Sequence, residues 1–465
     1  MKTNYFLITF KILLILAIGN VSAQLSNEEC IQNLSIFAES AKVKNYEAAY
    51  EPWLKVRNDC PSINLAVYSY GEKILKYKFE NSSGQEQISF AKDVLKLYDQ
   101  WLENFPTKKN KKVVGDIISS KAQAMIDYNF GNKIEIYNTF DKAFTTDPES
   151  FTNPKGLYNY FKTLYDLYKE GASGVSMEKL FDKYEEVSEK FELEATKLAR
   201  NLDIILNKEE LGIVLTSKEI RSKKVYEVNS NAIGIMLKNL DAIIAKEATC
   251  ENLIPLYNKN FEENKMDPLW LKRAASRMDN KECSDDPLFV TLVEALHNLD
   301  PSADSAYYLG LLNDKRRNET EALRFYEESV RLGTDPYKKA KILYKIALKF
   351  KNRGRKLSAR NYANKALSYQ PSLGRAYLLI ASLYASSAND CGETQFEKRA
   401  VYWLAANISA KAGRVDASIR KLANKTKASY LGRAPSKTDI FTEGNEGDRI
   451  KFDCWINASV KVPKL

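Results

Sequence analysis

Apolar residues recur at spacings of three and four along most of the chain, a period that predicts amphipathic helices. Residues 177–206 and 217–245 keep this period longest and predict two extended helices. In 448–463 the period changes to two, which is typical of a strand, and Gly444 and Gly447 mark a turn before it. The pattern therefore predicts an all-helical chain that ends in a short β ribbon.

Small residues, larger apolar residues and prolines recur at fixed offsets. Within 45–61, Trp53 lies four residues after Ala49 and eight before Pro61. Two further segments keep these offsets: Ala359, Ala363 and Pro371, and Ile136, Phe140 and Pro148. Proline ends a helix because it lacks the backbone N–H and clashes with the preceding turn. Each segment is therefore expected to be the second helix of a unit.

Small residues also mark the helix that precedes each of these segments. Gly310 lies twelve residues before Ala322, and Ala347 lies twelve before Ala359. From Gly310 to Ala347 is 37 residues, and from Ala347 to Ala381 is 34. A period near 34 with small residues at two positions predicts helix–turn–helix units whose helices touch closely.

This register resembles the tetratricopeptide repeat. The segments that carry the resemblance are 115–148, 303–336, 340–371, 374–384 and the second helix of 30–61. The resemblance implies a right-handed α-solenoid of helical hairpins whose first helices line a concave, partner-binding groove. We interpret 151–299 as degenerate hairpins of the same solenoid; a separate helical domain is the alternative.

The sequence predicts five regions along the chain. They are a signal peptide at 1–23, N-terminal hairpins at 24–150, degenerate hairpins at 151–299, a C-terminal array at 300–435 and a β-type cap at 436–465. The strand edge of the cap could instead dock a partner strand.

The first residues have the pattern of an export signal. Lys2 and Lys11 supply positive charge before the apolar run 12–21, and small residues precede Gln24. An uncleaved membrane anchor is the alternative, but the apolar run is short for one. No later segment is apolar enough to span a membrane. We expect an exported protein, periplasmic or secreted, similar to periplasmic tetratricopeptide proteins of Gram-negative bacteria.

Six cysteines behind an export signal indicate disulfides, although six cysteines allow 15 connectivities. In an antiparallel hairpin the start of the first helix lies beside the end of the second. This geometry pairs Cys30 with Cys60 and Cys250 with Cys283, which leaves Cys391 for Cys454. Free buried thiols or other pairings are the alternatives.

Composition argues against several classes of function. The single histidine, His297, disfavours histidine-based metal sites and Ser-His or Cys-His catalysis, and a structural role is expected for it. No nucleotide-binding or hydrolase motif occurs. The net charge of +10 is spread along the chain, which disfavours nucleic-acid binding. We expect no enzyme activity, no cofactor and no metal.

The resemblance places six residues near the groove: Tyr307, Lys315, Lys341, Tyr344, Lys351 and Arg375. Aromatic and cationic side chains fit an extended peptide with acidic groups. The expected function is a protein-binding scaffold of the cell envelope that supports secretion, motility or outer-membrane assembly. The alternatives are a glycan-binding helical protein of outer-membrane nutrient uptake and an enzyme with a carboxylate site in 151–299, where pairs such as Glu185–Glu186 otherwise indicate a solvated helix face.

Overall fold

The structure is a computed structural model that describes residues 26–465. The predicted signal peptide, 1–23, lies outside the described residues. The chain divides into two compact units, the first ending at Phe151 and the second comprising Thr152–Leu465.

Three helical hairpins build the first unit. Their helices are α1 (Asn27–Lys42), α2 (Tyr46–Asp59), α3 (Ala66–Glu80), α4 (Gly84–Asn104), α5 (Val114–Asp127) and α6 (Lys133–Thr146). Strands β1 (Thr107–Lys108) and β2 (Lys111–Lys112) form a short exposed ribbon before α5. The indole of Trp53 is fully buried and donates to the carbonyl of Val67 at 2.6 Å, which joins the first hairpin to the second.

The second unit begins with longer helices. They are α7 (Pro154–Lys169), α8 (Met177–Glu210) and α9 (Ser217–Ile244), followed by α10 (Cys250–Asn264), α11 (Pro268–Asn280) and α12 (Pro287–Leu299). The two extended helices predicted from the sequence are confirmed as α8 and α9. We call this pair the long hairpin.

Regular hairpins follow the long one. They comprise α13 (Ala303–Lys315), α14 (Glu319–Leu332), α15 (Pro336–Asn352), α16 (Lys356–Tyr369), α17 (Gly374–Ala385) and α18 (Gln395–Val415). The chain then forms α19 (Arg420–Leu431), α20 (Lys437–Glu443) and the antiparallel strands β3 (Arg449–Phe452) and β4 (Ala458–Lys461). The predicted all-helical class with a C-terminal ribbon is confirmed.

Capping side chains fix where these helices begin. Ser176 accepts a hydrogen bond from a first-turn backbone N–H of α8, and Thr216 does so for α9. Ser302 and Asp335 cap α13 and α15 in the same way, with Pro336 in the first turn of α15. Such caps satisfy backbone donors that have no partner inside the helix.

Small residues let the paired helices approach closely. A Cβ added to Gly310 would lie 2.5 Å from Cδ1 of Tyr326, so the Tyr326 ring of α14 fills the space that glycine leaves in α13. Ala347 of α15 and Ala359 and Ala363 of α16 are fully buried. The predicted role of these positions at the helix crossings is confirmed.

The C-terminal ribbon buries its apolar side against the last regular hairpins. Phe452, Val460 and Val462 join one apolar cluster with residues of α17 and α18. Trp455 donates from Nε1 to Ser387 Oγ at 3.1 Å. The ribbon therefore covers apolar surface at this end of the array, as a terminal cap does.

Three disulfides join the pairs that the hairpin geometry indicated: Cys30–Cys60, Cys250–Cys283 and Cys391–Cys454. The first two close single hairpins, and the third ties the ribbon to the segment between α17 and α18. Among residues 26–465, no helix has the length and apolar character that crossing a membrane requires.

Candidate partner-binding face

The candidate site lies on the first helices of the regular hairpins, α13, α15 and α17, whose outward side we call the first-helix face. The structure brings three of the predicted residues together at the starts of α15 and α17. Lys341 and Tyr344 are one turn apart on α15. Burial raises the pKa of Tyr344, and the positive charge of Arg375 on α17 acts to lower it. Arg375 itself is exposed.

Lys315 and Lys351 lie at the opposite ends of their helices, away from Lys341. Lys315 Nζ pairs with Asp285 Oδ1 at 2.6 Å, while Lys351 is exposed in the last turn of α15. Beside them is an open depression of about 460 Å³. Its lining residues are Asp314, Lys315, Arg317, Glu319, Arg353 and Arg355. Five of the six predicted residues thus form two groups rather than one continuous row.

Tyr307 belongs to the core and is not available on this face. Its side chain is 4% exposed, between the rings of Tyr308 and Tyr326 at 5.6 and 5.8 Å. Lys345 Nζ lies 4.9 Å from its ring centroid. A side chain this buried does not present its ring to a ligand, so the structure does not place Tyr307 on the open part of this face.

Helix α8 lies across the regular hairpins through a row of acidic side chains. Five acids of α8 are separated from one another by four, three, eleven and seven residues. Each of these spacings is close to a whole number of helical turns, so all five lie on one side of the helix. They are Glu185, Glu189, Glu192, Asp203 and Glu210. We call this row the acidic stripe.

Each acid of the stripe contacts a later part of the second unit. Glu189 pairs with Arg273 at 2.8 Å, Glu192 with Lys341 at 2.9 Å and Glu210 with Lys411 at 3.5 Å. Asp203 accepts hydrogen bonds from the hydroxyls of Tyr337 and Ser372. Lys341, a predicted groove residue, is therefore already bound by a carboxylate of the chain itself.

The fifth acid, Glu185, is part of a buried network. Arg277 pairs with Glu185 at 2.8 Å and donates to Tyr257 and to the carbonyl of Phe181. Burial raises the pKa of Glu185, and Arg277 acts against that rise. The interpretation of the Glu185–Glu186 pair as a solvated face is wrong for Glu185, since the guanidinium compensates for its burial.

This stripe was missed at the sequence level although its spacing is visible there. Charged residues at helical spacing usually face solvent, and the partners lie between 84 and 201 residues further along the chain. The length of α8 is the signal that could have revealed it, because 34 residues exceed what one tetratricopeptide helix needs.

Besides Glu185 and Asp203, two carboxyl groups within 151–299 have raised pKa values. The pKa values of Asp182 and Asp279 are raised mainly by burial, with arginine or lysine charges acting against the rise. Among the described residues, no group of three or more His, Cys, Asp and Glu is placed to hold a metal ion. His297 Nδ1 lies 3.0 Å from Ser305 Oγ, a contact between α12 and α13.

Comparisons with known proteins cover parts of the chain. No protein-family model matches it. UvrABC system protein C of Mycoplasmoides gallisepticum is 24% identical over 233 residues, which are 47% of this chain and 35% of that protein. Photosystem I assembly protein Ycf3 of Cyanophora paradoxa is 31% identical over 107 residues, 21% of this chain and 62% of that protein. The chain thus spans between about a third and three-fifths of the curated relatives it matches.

Solved structures are similar only at a low level. A tetratricopeptide repeat protein from Parabacteroides merdae shares 12% identity at a TM-score of 0.24, over 68% of this chain and 97% of that one. Yeast Tom70 shares 12% identity at a TM-score of 0.26, over 89% and 82%. Scores of this size support no argument about the fold. The chain's own hairpins, whose small residues meet at the predicted spacing, form a helical-repeat fold that resembles the tetratricopeptide type.

Proposed function

We propose that the protein is a non-enzymatic scaffold of the bacterial cell envelope whose first-helix face binds an acidic segment of a partner protein. Repeat folds of this type present extended surfaces for such segments. A role in supporting secretion, motility or outer-membrane assembly machinery is part of the proposal. An export signal predicted at 1–23 and three disulfides support a location outside the cytoplasm.

The observation that carries the proposal is the docking of the acidic stripe. The chain already places Glu192 on Lys341 and Asp203 on Tyr337, so the starts of the regular hairpins accept carboxylates at helical spacing. A partner segment with acids at similar spacing would meet the same chemistry on neighbouring cations.

The cations that α8 leaves uncovered are the expected contacts for a partner. Lys351 and Arg375 are exposed, and Tyr344 is half-buried beside Arg375. These residues are the open positions of the first-helix face, with Arg375 at a helix start and Lys351 at a helix end, and Lys341 marks the boundary with the part that α8 covers.

Capture from an envelope extract tests this assignment. The variant Lys351→Glu/Arg375→Glu should recover about tenfold less partner than the wild type, since a loss near 1.4 kcal/mol corresponds to that factor. The matched control is Lys92→Glu/Lys96→Glu, which makes the same change at exposed lysines of α4. Unchanged recovery by the first variant, with thermal unfolding like that of the wild type, would place the partner elsewhere.

Cell fractionation tests the location separately. The full chain expressed in a Gram-negative host should appear in the periplasmic fraction with its cysteines oxidised. Recovery in the cytoplasm with free thiols would contradict the envelope proposal and leave the binding proposal to be judged by capture alone.

A further inference from the structure

The outer side of the long hairpin exposes an unusual amount of apolar surface. Helix α9 presents six residues to solvent along one side: Ile220, Arg221, Lys224, Val225, Val228 and Ile235. We call this set the outer face of α9. Its four aliphatic side chains are between 47% and 59% exposed. Large exposed apolar patches mark interaction sites, because water solvates them poorly.

The turn that joins α8 to α9 continues this surface. Leu211, Ile213 and Val214 are 68%, 50% and 90% exposed. Val214 is thus almost fully exposed to solvent at the tip of the hairpin. The aliphatic tip thus directly precedes the helix whose outer face carries exposed side chains of the same character.

The charge on this surface has a single sign. The three acids of α9 lie off the outer face and are engaged: Glu219 pairs with Lys208, Glu227 pairs with Arg420, and Asp241 accepts from the Tyr184 hydroxyl at 2.7 Å. Glu209 and Glu210 beside the turn pair with Lys223 and Lys411.

Basic side chains, in contrast, remain directed outward. Lys218, Arg221, Lys224 and Lys238 are exposed along α9. The outer face therefore combines aliphatic side chains with cations. Four of the acids named above form ion pairs with lysine or arginine, and Asp241 accepts a hydrogen bond from the Tyr184 hydroxyl. The electrostatic complement of the outer face is an anionic surface.

We propose that the outer face of α9 and the adjoining turn bind the surface of an anionic lipid membrane. A helix lying in the interfacial plane buries an apolar side at the boundary of the acyl chains while its lysines and arginines meet anionic headgroups. Leu211, Ile213 and Val214 would enter this boundary first, because they protrude most. The contact is shallow and peripheral and does not cross the membrane.

Membrane binding on this side is compatible with docking of the hairpin on the regular array. The opposite side of α9 packs within the second unit: Ile233, Leu240 and Ile244 are buried, and a Cβ at Gly234 would lie 2.9 Å from Cβ of Ser418, which follows α18. The array-facing contacts and the outer face use different residues, so the protein can engage a membrane without rearrangement. The inference is independent of which partner occupies the first-helix face.

Vesicle flotation with the purified disulfide-bonded chain, residues 24–465, tests the proposal. Vesicles of phosphatidylcholine with about one-third phosphatidylglycerol should carry the protein at low salt, and pure phosphatidylcholine vesicles should carry about tenfold less or none. Raising the salt concentration should weaken the binding, because ions screen the cations.

Two variants separate the contributions of the surface. Ile213→Ser/Val214→Ser removes the aliphatic tip, and Arg221→Glu/Lys224→Glu reverses two cations. Each should lower partition to anionic vesicles about tenfold or more. The matched controls are Ile134→Ser, at an isoleucine of α6 that is 55% exposed, and Lys92→Glu/Lys96→Glu on α4.

Failure of the wild type to float with anionic vesicles at low salt would overturn the proposal. An equal loss of vesicle binding in the control variants would also overturn it, since binding would then not depend on this face. A different outcome is that the protein does not bind lipid, but captures an envelope protein from a detergent extract and the tip variant does not. The face would then be a protein-docking site and not a membrane-binding one.

Discussion

The regular hairpins and the long hairpin lie in one unit but are stabilised by different means. Between α13 and α14, and between α15 and α16, buried alanines and Gly310 bring the helices into direct apolar contact. The long hairpin meets the rest of the unit through the ion pairs of the acidic stripe as well as through buried residues, and it leaves other aliphatic side chains of α9 in solvent.

Because of this difference, the regular hairpins are expected to stay closed, whereas the long hairpin is more exposed and opens more easily. Apolar contacts at close helix crossings are lost only when the hairpins separate, whereas partly exposed ion pairs contribute between about 0 and 1 kcal/mol each. The long hairpin is therefore expected to open before the array does, with Arg277 and Glu185 as its firmest attachment.

Arg277→Met should have the largest effect, because it leaves the Glu185 carboxylate buried without its guanidinium. We expect unfolding of the second unit to require about 3–5 kcal/mol less free energy, and hydrogen exchange in α8 to accelerate before that in α15. Chemical unfolding and exchange mass spectrometry measure both. The double variant Arg277→Met/Glu185→Leu should regain most of the loss; a double variant as unstable as the single one would show that the pair is not the cause.

Gly310→Leu should destabilise the regular hairpins. The added side chain has no space beside Tyr326, and overpacking of this kind costs about 1–3 kcal/mol. Thermal unfolding should show the loss, with exchange in α13 and α14 accelerated and α8 less affected. Asn364→Leu adds a similar side chain at an exposed position of α16 and should change stability by less than about 0.5 kcal/mol. Equal effects of the two substitutions would contradict close packing at Gly310.

Asp203→Asn should change the free energy of unfolding least, and the size of this change should depend on pH. Burial raises the pKa of Asp203 in the folded protein, while hydrogen bonds from Tyr337 and Ser372 act to lower it. As pH rises above the ordinary carboxyl pKa, the unfolded chain ionises first, so wild-type stability falls until folded Asp203 also ionises. Asparagine avoids this loss and keeps an oxygen acceptor.

The variant should therefore be more stable than the wild type at pH 7, by less than about 1 kcal/mol, and the difference should vanish near pH 3. Denaturant unfolding at both pH values measures it. Glu263→Gln, at an exposed acid of α10, should show no such dependence. A difference that grows toward low pH would mean that the folded state favours the ionised form of Asp203.

Local signals in the sequence predicted the hairpins well. The segments 303–336 and 340–371 correspond to α13–α14 and α15–α16, and the strand period in 448–463 contains β3 and β4. The helical period, the small residues and the prolines are patterns that extend over only a few residues. They can therefore be recognised in the sequence without knowledge of the fold. The docking of α8 was not predicted, because Glu192 meets Lys341 across a separation of 149 residues in the sequence, and the acid alone is typical of a solvated surface.

The same separation along the chain fixes an order of assembly. Residues 177–245 are synthesised well before Lys341, Ser372 and Lys411, which hold the later part of the acidic stripe. Until those residues emerge, only Glu185 and Glu189 can meet their cations, Arg277 and Arg273 of α11. A nascent or truncated chain that stops before α15 would therefore display Glu192, Asp203 and Glu210 together with the outer face of α9, and proteases or chaperones would meet it in that state.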